Sequence, residues 1–434
     1  MKAIRGKHSE NDSAKCESLG SMNSCSPSSA GKDEEEVFYD FQLFISQMKD
    51  QRADPIVRYT RSFLHSFVTK KNFWTAEEQV KLVNDFKLFI YDKFLEFEPF
   101  KSLDRSKLHN AQEGMEKLLM GKLYNKCFSP LLANDYENLT DDHRSDLVHD
   151  ANLMDKILEF RFIKPINLEI PATISPKVEK FIQLSGKELN RINSYKAPRD
   201  KMVCILNACK VIYGFLKHSK LENEGADVFI PMLIYTIMKA NVRSLVSNVI
   251  YIERFRFPEY LRGESGYYLS SLHGAINFIL HMGEDSLFIP DKSEYNNQYE
   301  QNSVQVAEER DRIEIKEVNL EVPKLRSKSP SPSEYILKPL DGATNTVISK
   351  FAELFSPTAT SQDDTDNREH QSAFIDDETA AAIAHQMEED DHVRTIKDLQ
   401  AMFPEMGCEI IQDVCAAKRY RIGACVDALL TLSS

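Results

Sequence analysis

Apolar residues recur at intervals of three and four along most of the chain, which is the spacing of one face of an α-helix. Near the start of the pattern, this spacing links Phe38, Phe41 and Ile45 in the stretch VFYDFQLFISQMK. It continues through residues 75–97. No stretch alternates apolar and polar residues with a period of two, so the pattern predicts an all-α protein.

Changes in this pattern divide the chain into five parts. Residues 1–36 are polar and end in KDEEE, which predicts a disordered tail. Residues 37–145 predict an N-terminal helical bundle, and residues 146–287 predict a helical core. Residues 288–391 are polar, acidic and rich in Pro and Ser, which predicts a long disordered linker. Periodicity returns in residues 392–434, where three short pieces predict a compact three-helix bundle.

Composition narrows the class of protein. Of the 434 residues, 42% are hydrophobic, so the chain can bury a substantial core. The formal net charge of −13 argues against a general nucleic-acid binder or a polybasic membrane clamp, because both need positive surface. Eight cysteines occur without a CxxC pair, and the N-terminal stretch lacks the apolar segment of a secretory signal. These features predict free thiols and a cytoplasmic protein.

The most apolar run is GADVFIPMLIYTIMKAN, residues 225–241, with Asp227 four positions ahead of Pro231. Its continuous apolar part has only eleven residues, from Val228 to Met238, whereas a membrane helix needs about 20. The run therefore predicts a buried core helix. Taken alone, Asp227 is typical of a helix N-cap.

Signatures of covalent chemistry are missing from the sequence. It contains no GxxxxGK[ST], GxSxG or HExxH motif. The adjacent pair His149 and Asp150 is a feature of metal-dependent phosphohydrolases, but further ligands at suitable distances are not found. The sequence therefore predicts a protein without covalent chemistry, without a metal site and without a cofactor.

Residues 37–287 closely resemble the VPS-nine (vacuolar protein sorting) family of guanine-nucleotide-exchange factors for Rab-five-type GTPases. The stretches that carry the resemblance are GADVFIPMLIYTIMKAN, SNVIYIERFR and GESGYYLSSLHGAINFI, in this order. RYTRSFLHSF and AQEGMEKLLMGKLYNKCFSP resemble the helical bundle that precedes the exchange core in this family.

The resemblance implies roles for four residues. Asp227 matches the acidic residue that reaches into the nucleotide site of the GTPase, and Pro231 matches a proline placed in the first helical turn. Tyr267 matches the functional tyrosine, which faces outward while Tyr268 packs inward. Ser270 lies one turn later, where many members have Thr, so the hydroxyl is kept and a methyl group is lost.

Residues 392–434 resemble a CUE ubiquitin-binding domain. The marks are Met402, Phe403 and Pro404 after the first helix, and the di-leucine Leu429 and Leu430 near the end of the third. In that family the two ends lie close together and dock on the apolar patch of ubiquitin. The alternative is that these residues only fill a small core.

Together, the resemblances imply an exchange factor that promotes GDP release from endosomal Rab-five-type GTPases in endocytic and vacuolar protein transport. The expected partners are the GTPase, in its GDP-bound and nucleotide-free forms, and ubiquitin. The expected location is the cytoplasm, with peripheral association to endosomes through these partners. The alternative is an endosomal adapter that binds ubiquitin and Rab without exchange activity.

Overall fold

The computed structural model describes residues 39–69, 74–171, 178–219, 225–320 and 377–433. These residues form helices, turns and connecting segments and contain no strand, which confirms the all-α prediction. The tail predicted for residues 1–36 lies outside the described residues.

The first four helices form a bundle around an aromatic core. They are α1 (Phe41–Lys49), α2 (Asp54–Thr69), α3 (Ala76–Phe94) and α4 (Arg105–Cys127). Thr75 and Glu78 form a capping box at the start of α3, in which each side chain accepts a hydrogen bond from the other residue's backbone N–H. Phe94 stacks on Phe100 with ring centroids 4.3 Å apart, and both side chains are buried. The bundle predicted from helical spacing is therefore present.

Helix α6 joins this bundle to the helical core. It runs from Asp141 to Glu159 after the short α5 (Ser129–Leu132), so the predicted boundary between residues 145 and 146 falls inside a helix and is wrong. Near its start, buried His143 contacts Gln79 of α3. Towards its end, Leu153 and Ile157 pack into the core cluster. One helix serves both units, and helical periodicity alone does not reveal such a shared element.

The helical core consists of five further helices. They are α7 (Val178–Asn190), α8 (Pro198–His218), α9 (Gly225–Ala240), α10 (Leu245–Phe255) and α11 (Gly263–Leu280). The buried ammonium of Lys201 in α8 donates hydrogen bonds to Asn248 of α10 at 2.6 Å and to Tyr124 of α4 at 3.0 Å. A buried Lys is retained when it is hydrogen-bonded in this way. Lys201 therefore ties the core to the bundle.

The disordered linker predicted for residues 288–391 begins too early, because the first part of this range is helical. Helix α12 covers Lys292–Leu320, and the next helix begins at Asp377. Near the start of α12, Tyr295 and Tyr299 pack against Phe162. The side-chain amide of Asn302 donates to the carbonyls of Leu158 and Glu159, which end α6. Tertiary contacts therefore stabilise a helix in a stretch whose composition is polar. The remainder, residues 321–376, lies outside the described residues.

The C-terminal unit has the predicted three helices, α13 (Asp377–Met402), α14 (Cys408–Ala417) and α15 (Ile422–Ser433). Its first helix is longer than predicted, because it begins before residue 392. Its apolar residues Leu399, Val426 and Leu429 belong to the same hydrophobic cluster as Ile212 of α8. The C-terminal helices therefore pack on the helical core rather than forming a separate core of their own.

Candidate functional site

Asp227 lies in the first turn of α9, and its side chain is exposed. Residues 228–238 after it, apart from Ile230 and Pro231, are buried, as predicted for this run. A carboxylate is favoured at a helix N-terminus because the free N–H groups there carry partial positive charge. The buried part of α9 therefore holds an exposed acidic group at its solvent-facing end.

Pro231 lies inside α9 and not in its first turn, so its predicted position is wrong. The reason is that the helix begins at Gly225, six residues earlier. Proline has no N–H, and in a helix the N–H of residue 231 would donate to the carbonyl of residue 227. The four-residue spacing therefore leaves the backbone carbonyl of Asp227 without the helical hydrogen bond from residue 231.

Helix α11 places two adjacent tyrosines on opposite sides. Tyr267 is 51% exposed and Tyr268 is 5% exposed, which confirms the predicted outward and inward orientations. The ring of Tyr267 stacks on Phe229 of α9, with centroids 6.1 Å apart and planes inclined by 25°. Phe229 lies two residues after Asp227. This stacking therefore brings Asp227 and Tyr267 to the same end of the α9–α11 pair.

The first turn of α11 is fixed by two contacts. Glu264 forms a 2.9 Å ion pair with Lys210 of α8. A Cβ atom at Gly266 would lie 2.4 Å from the carbonyl oxygen of Leu261, so only glycine fits beside Tyr267. These contacts position the start of α11, and the stacking on Phe229 holds the ring of Tyr267.

The exposed face of α11 continues beyond Tyr267. Ser270 is exposed one turn later, as expected, and His273 follows after another three residues. His273 Nε2 lies 2.8 Å from the carboxylate of Glu253 in α10, and this hydrogen bond raises the pKa of His273. This pair was not predicted from the sequence. The three-residue spacing of positions 267, 270 and 273 was the signal that could have placed His273 on the exposed face of α11.

Among the described residues, the clusters of polar side chains that resemble catalytic groups are buried or engaged in structural hydrogen bonds. Ser129, His143 and Asp146 are hydrogen-bonded together but are buried, and Asp146 also pairs with Arg254. Asp150 accepts hydrogen bonds from the backbone N–H and hydroxyl of Ser247 and so caps the start of α10. Within the described ranges, no group of three or more His, Cys, Asp and Glu side chains is arranged to hold a metal ion. Asp150, the acidic member of the pair noted in the sequence, is therefore engaged as a helix cap.

The five predicted ubiquitin-contacting residues differ in their exposure. Pro404 is exposed, Met402 and Leu430 are partly buried, and Phe403 and Leu429 are buried. Met402 and Leu430 pack against the cluster that the C-terminal unit shares with the core. The structure therefore places all five in the C-terminal unit and leaves only part of the set open to solvent.

Comparison with known families identifies three matching segments. Residues 182–284 match the vacuolar sorting protein 9 (VPS9) domain. The chain therefore contains a VPS9 domain. Its VPS9 domain begins within α7 and includes α8 to α11, and therefore contains Asp227, Pro231, Tyr267 and Ser270. Residues 392–433 match the CUE domain, and residues 58–124 match a domain of unknown function (DUF5601).

Individual relatives agree with these segments. The chain is 42% identical to the vacuolar protein sorting-associated protein vps901 of Schizosaccharomyces pombe over 275 residues, which are 63% of this chain and 47% of the relative. It is 33% identical to the vacuolar protein sorting-associated protein 9A of Arabidopsis thaliana, over 61% of this chain and 49% of the relative. It is 30% identical to the human Rab5 GDP/GTP exchange factor, over 54% of this chain and 45% of the relative. The match thus spans about half the length of each relative.

A membrane span requires a helix that is both long and apolar. Among the described residues no single helix meets both requirements. One sharply bent pair, Asp227–Ala240 with Leu245–Phe255, meets them jointly by length and composition only.

Proposed function

We propose that this chain is a guanine-nucleotide-exchange factor that promotes GDP release from Rab-five-type small GTPases. The observation that carries the proposal is the exposed Asp227 and Tyr267 at one end of the α9–α11 pair, within a VPS9 domain. A relative named as a Rab5 GDP/GTP exchange factor supports the choice of GTPase. The exchange factor forms and breaks no covalent bond; it binds GDP-loaded Rab, expels GDP and releases the GTPase when GTP enters.

The mechanism depends on competition for one positive charge. A Rab holds its nucleotide with a P-loop Lys and a magnesium ion at the phosphates. The carboxylate of Asp227 competes with the β-phosphate for that Lys and repels the phosphates to which the magnesium ion is bound. Two opposite charges about 4 Å apart attract by about 4 kcal/mol at an effective dielectric of 20, before desolvation. This energy is sufficient to lower nucleotide affinity by orders of magnitude.

Tyr267 and Ser270 supply the contact surface beside the acidic residue. Tyrosine gives a large apolar area and a hydroxyl, a combination that is enriched in the energetically dominant positions of interfaces. Ser270 offers a hydroxyl without the methyl group that Thr would add. We therefore assign GTPase binding to the exposed face of α11 and displacement of the nucleotide to Asp227.

The direct test is GDP release across a panel of Rab GTPases, each loaded with fluorescent GDP and mixed with the full chain. We expect release from Rab-five-type members to accelerate roughly a hundredfold, which corresponds to a barrier lowered by about 2.7 kcal/mol. Other Rabs are expected to show much smaller effects. Absence of acceleration for every Rab would contradict exchange activity and favour the adapter hypothesis.

The C-terminal CUE domain is proposed to bind ubiquitin and to bring the chain to endosomes that carry ubiquitinated cargo. Two marks support this proposal: Met402 to Pro404 at the end of α13 and the di-leucine near the end of α15. The CUE domain match at residues 392–433 covers both. In this scheme the protein is cytoplasmic and reaches endosomes peripherally, through its GTPase and ubiquitin partners.

Pro404→Asp is expected to weaken ubiquitin binding about tenfold or more, because it places a charge on an exposed apolar contact. The change leaves the buried packing intact, so exchange in solution should be unaltered. Gln412→Asp, an exposed change on α14, is the matched control. Calorimetry with ubiquitin and imaging of the tagged protein on endosomes provide the two measurements. Unchanged ubiquitin affinity would refute the assigned surface, and weakened binding with unchanged localisation would refute recruitment by ubiquitin.

A further inference from the structure

Helix α15 of the CUE domain lies directly against helix α8 of the VPS9 domain. The approach is closest at Gly423 of α15, whereas Gly214 of α8 faces Val426 at an ordinary contact distance. A Cβ atom at Gly423 of α15 would lie 2.6 Å from the Cβ of Lys210 in α8. A Cβ atom at Gly214 of α8 would lie 3.8 Å from Val426. Glycines at such positions allow two helices to approach more closely than larger residues do.

The charges across this contact are complementary. On the VPS9 side they are basic, and on the CUE side they are acidic. Asp427 of α15 lies 3.1 Å from both Lys217 and His218 at the end of α8. The same polarity recurs on α13, where Asp398 pairs with Lys187 and Asp391 with Arg191. Burial raises the pKa of Asp427, but hydrogen bonds from His218 and Lys217 lower it below its ordinary value overall.

The face of α15 that meets α8 also carries Leu430, the second residue of the di-leucine. Gly423 and Asp427 contact α8, and Leu430 follows at the seven-residue spacing that keeps it on the same side of the helix. Leu430 is partly buried against the shared apolar cluster, and Leu429 beside it is completely buried. A ligand that covers Leu430 therefore approaches the same side of α15 as α8 does.

We propose that α8 and ubiquitin compete for this face of α15, so that the CUE domain binds ubiquitin only after it leaves the VPS9 domain. The inference rests on the proposed ubiquitin binding and adds its regulation. The apparent affinity of the full chain for ubiquitin then equals the affinity of the undocked CUE domain multiplied by the fraction of molecules in which it is undocked. Any change that weakens docking without touching the di-leucine should increase ubiquitin affinity.

Gly423→Ala is such a change. The three atoms nearest to the added methyl group all belong to Lys210, so the clash is with α8 and not with the CUE domain. Within α15 itself, alanine is a better helix former than glycine. We expect the full-length variant to bind monomeric ubiquitin at least about tenfold more tightly than the wild type, as measured by calorimetry.

Gly283→Ala is the matched control, because nothing lies within 4 Å of its added methyl group and the residue is outside both helices. Its ubiquitin affinity should equal that of the wild type. Equal affinities for the wild type and Gly423→Ala would overturn the competition while leaving ubiquitin binding intact. No binding by any of the three proteins would refute the proposed ubiquitin binding, and the competition with it.

A second measurement needs no substitution. A zero-length carbodiimide reagent should join Lys217 to Asp427, whose charged atoms are 3.1 Å apart, and mass spectrometry identifies the linked peptides. Saturating ubiquitin is expected to reduce this product several-fold in the wild-type chain. The exposed pair Lys164 and Glu294, 3.0 Å apart, is the internal control and should be unaffected. If ubiquitin reduces neither product while it is bound, docking and ubiquitin binding are compatible and the competition is refuted.

Discussion

Replacing Asp227 with asparagine is expected to slow GDP release from a Rab-five-type GTPase about a hundredfold. The substitution keeps the shape of the side chain but removes the charge that attracts the P-loop Lys and repels phosphate. Loss of about 2.7 kcal/mol in the transition state gives this factor, and the attraction of two charges at contact is large enough to supply it. Stopped-flow release of fluorescent GDP measures the effect.

Asp141→Asn provides the control for this experiment. Asp141 is also an exposed acidic residue in the first turn of a helix, at the start of α6. Both variants lose one favourable interaction with a helix N-terminus, which is worth under about 1 kcal/mol, so their stabilities should change equally little. Equal exchange rates for the two variants would show that the charge at Asp227 has no special role in nucleotide release.

The candidate site around Asp227 could be predicted only in part from the sequence. The exposure of Asp227 and the burial of the residues after it follow from the apolar pattern of α9. Helical geometry requires only that Tyr267 and Tyr268 face different sides, and the family resemblance implied that Tyr267 is the outward one. The stacking of Tyr267 on Phe229, which brings the two helices together at this end, is a tertiary contact. The sequence contains both aromatic residues but does not indicate that they meet.

Helix α12 is a part of the fold that the sequence did not predict. Its polar composition predicts a linker, yet Tyr295, Tyr299 and Asn302 follow the four- and three-residue spacing of a single helix face. That face contacts Phe162 and the carbonyls that end α6. Three suitably spaced residues were therefore a usable signal, but one too weak to outweigh the composition of the whole segment.

The docking of the CUE domain could not be predicted from any local pattern. The residues that form the contact, such as Lys217 and Asp427, are about two hundred positions apart in sequence. Each looks like an ordinary solvated charge on its own helix. Only the folded chain shows that glycines in both helices face the contact and that the charges are complementary.

A second large effect is expected where the N-terminal bundle meets the VPS9 domain. Glu116 of α4 is buried and accepts hydrogen bonds from Lys87 of α3 at 3.1 Å and from Arg256 at 2.8 Å. Arg256 also donates to Glu113 at 2.7 and 2.8 Å. Burial lowers the pKa of Lys87, although Glu116 acts to raise it. Lys87 and Arg256 therefore form a buried ion-pair network with the carboxylates of Glu113 and Glu116.

Glu116→Gln should destabilise the fold by about 3 to 5 kcal/mol, because it leaves Lys87 and Arg256 with one carboxylate between them. The amide group that replaces one oxygen is itself a donor and faces other donors. Glu96→Gln is the control, since its pairing with Lys93 is half exposed and worth under about 1 kcal/mol. The midpoint and slope of urea unfolding, followed by circular dichroism, give the free energy of unfolding for each variant.

Removing both charges of the pair separates the contribution of pairing from the cost of leaving a partner behind. In the double variant Lys87→Met with Glu116→Leu, Arg256 keeps its two hydrogen bonds to Glu113, and no unpaired ammonium remains. Much of the stability lost in Glu116→Gln should then return, because buried pairs replaced by apolar groups of similar volume are often nearly neutral. If the double variant is as unstable as the single one, the ion pair itself stabilises this junction. If Glu116→Gln costs no more than Glu96→Gln, the buried network does not hold the two units together.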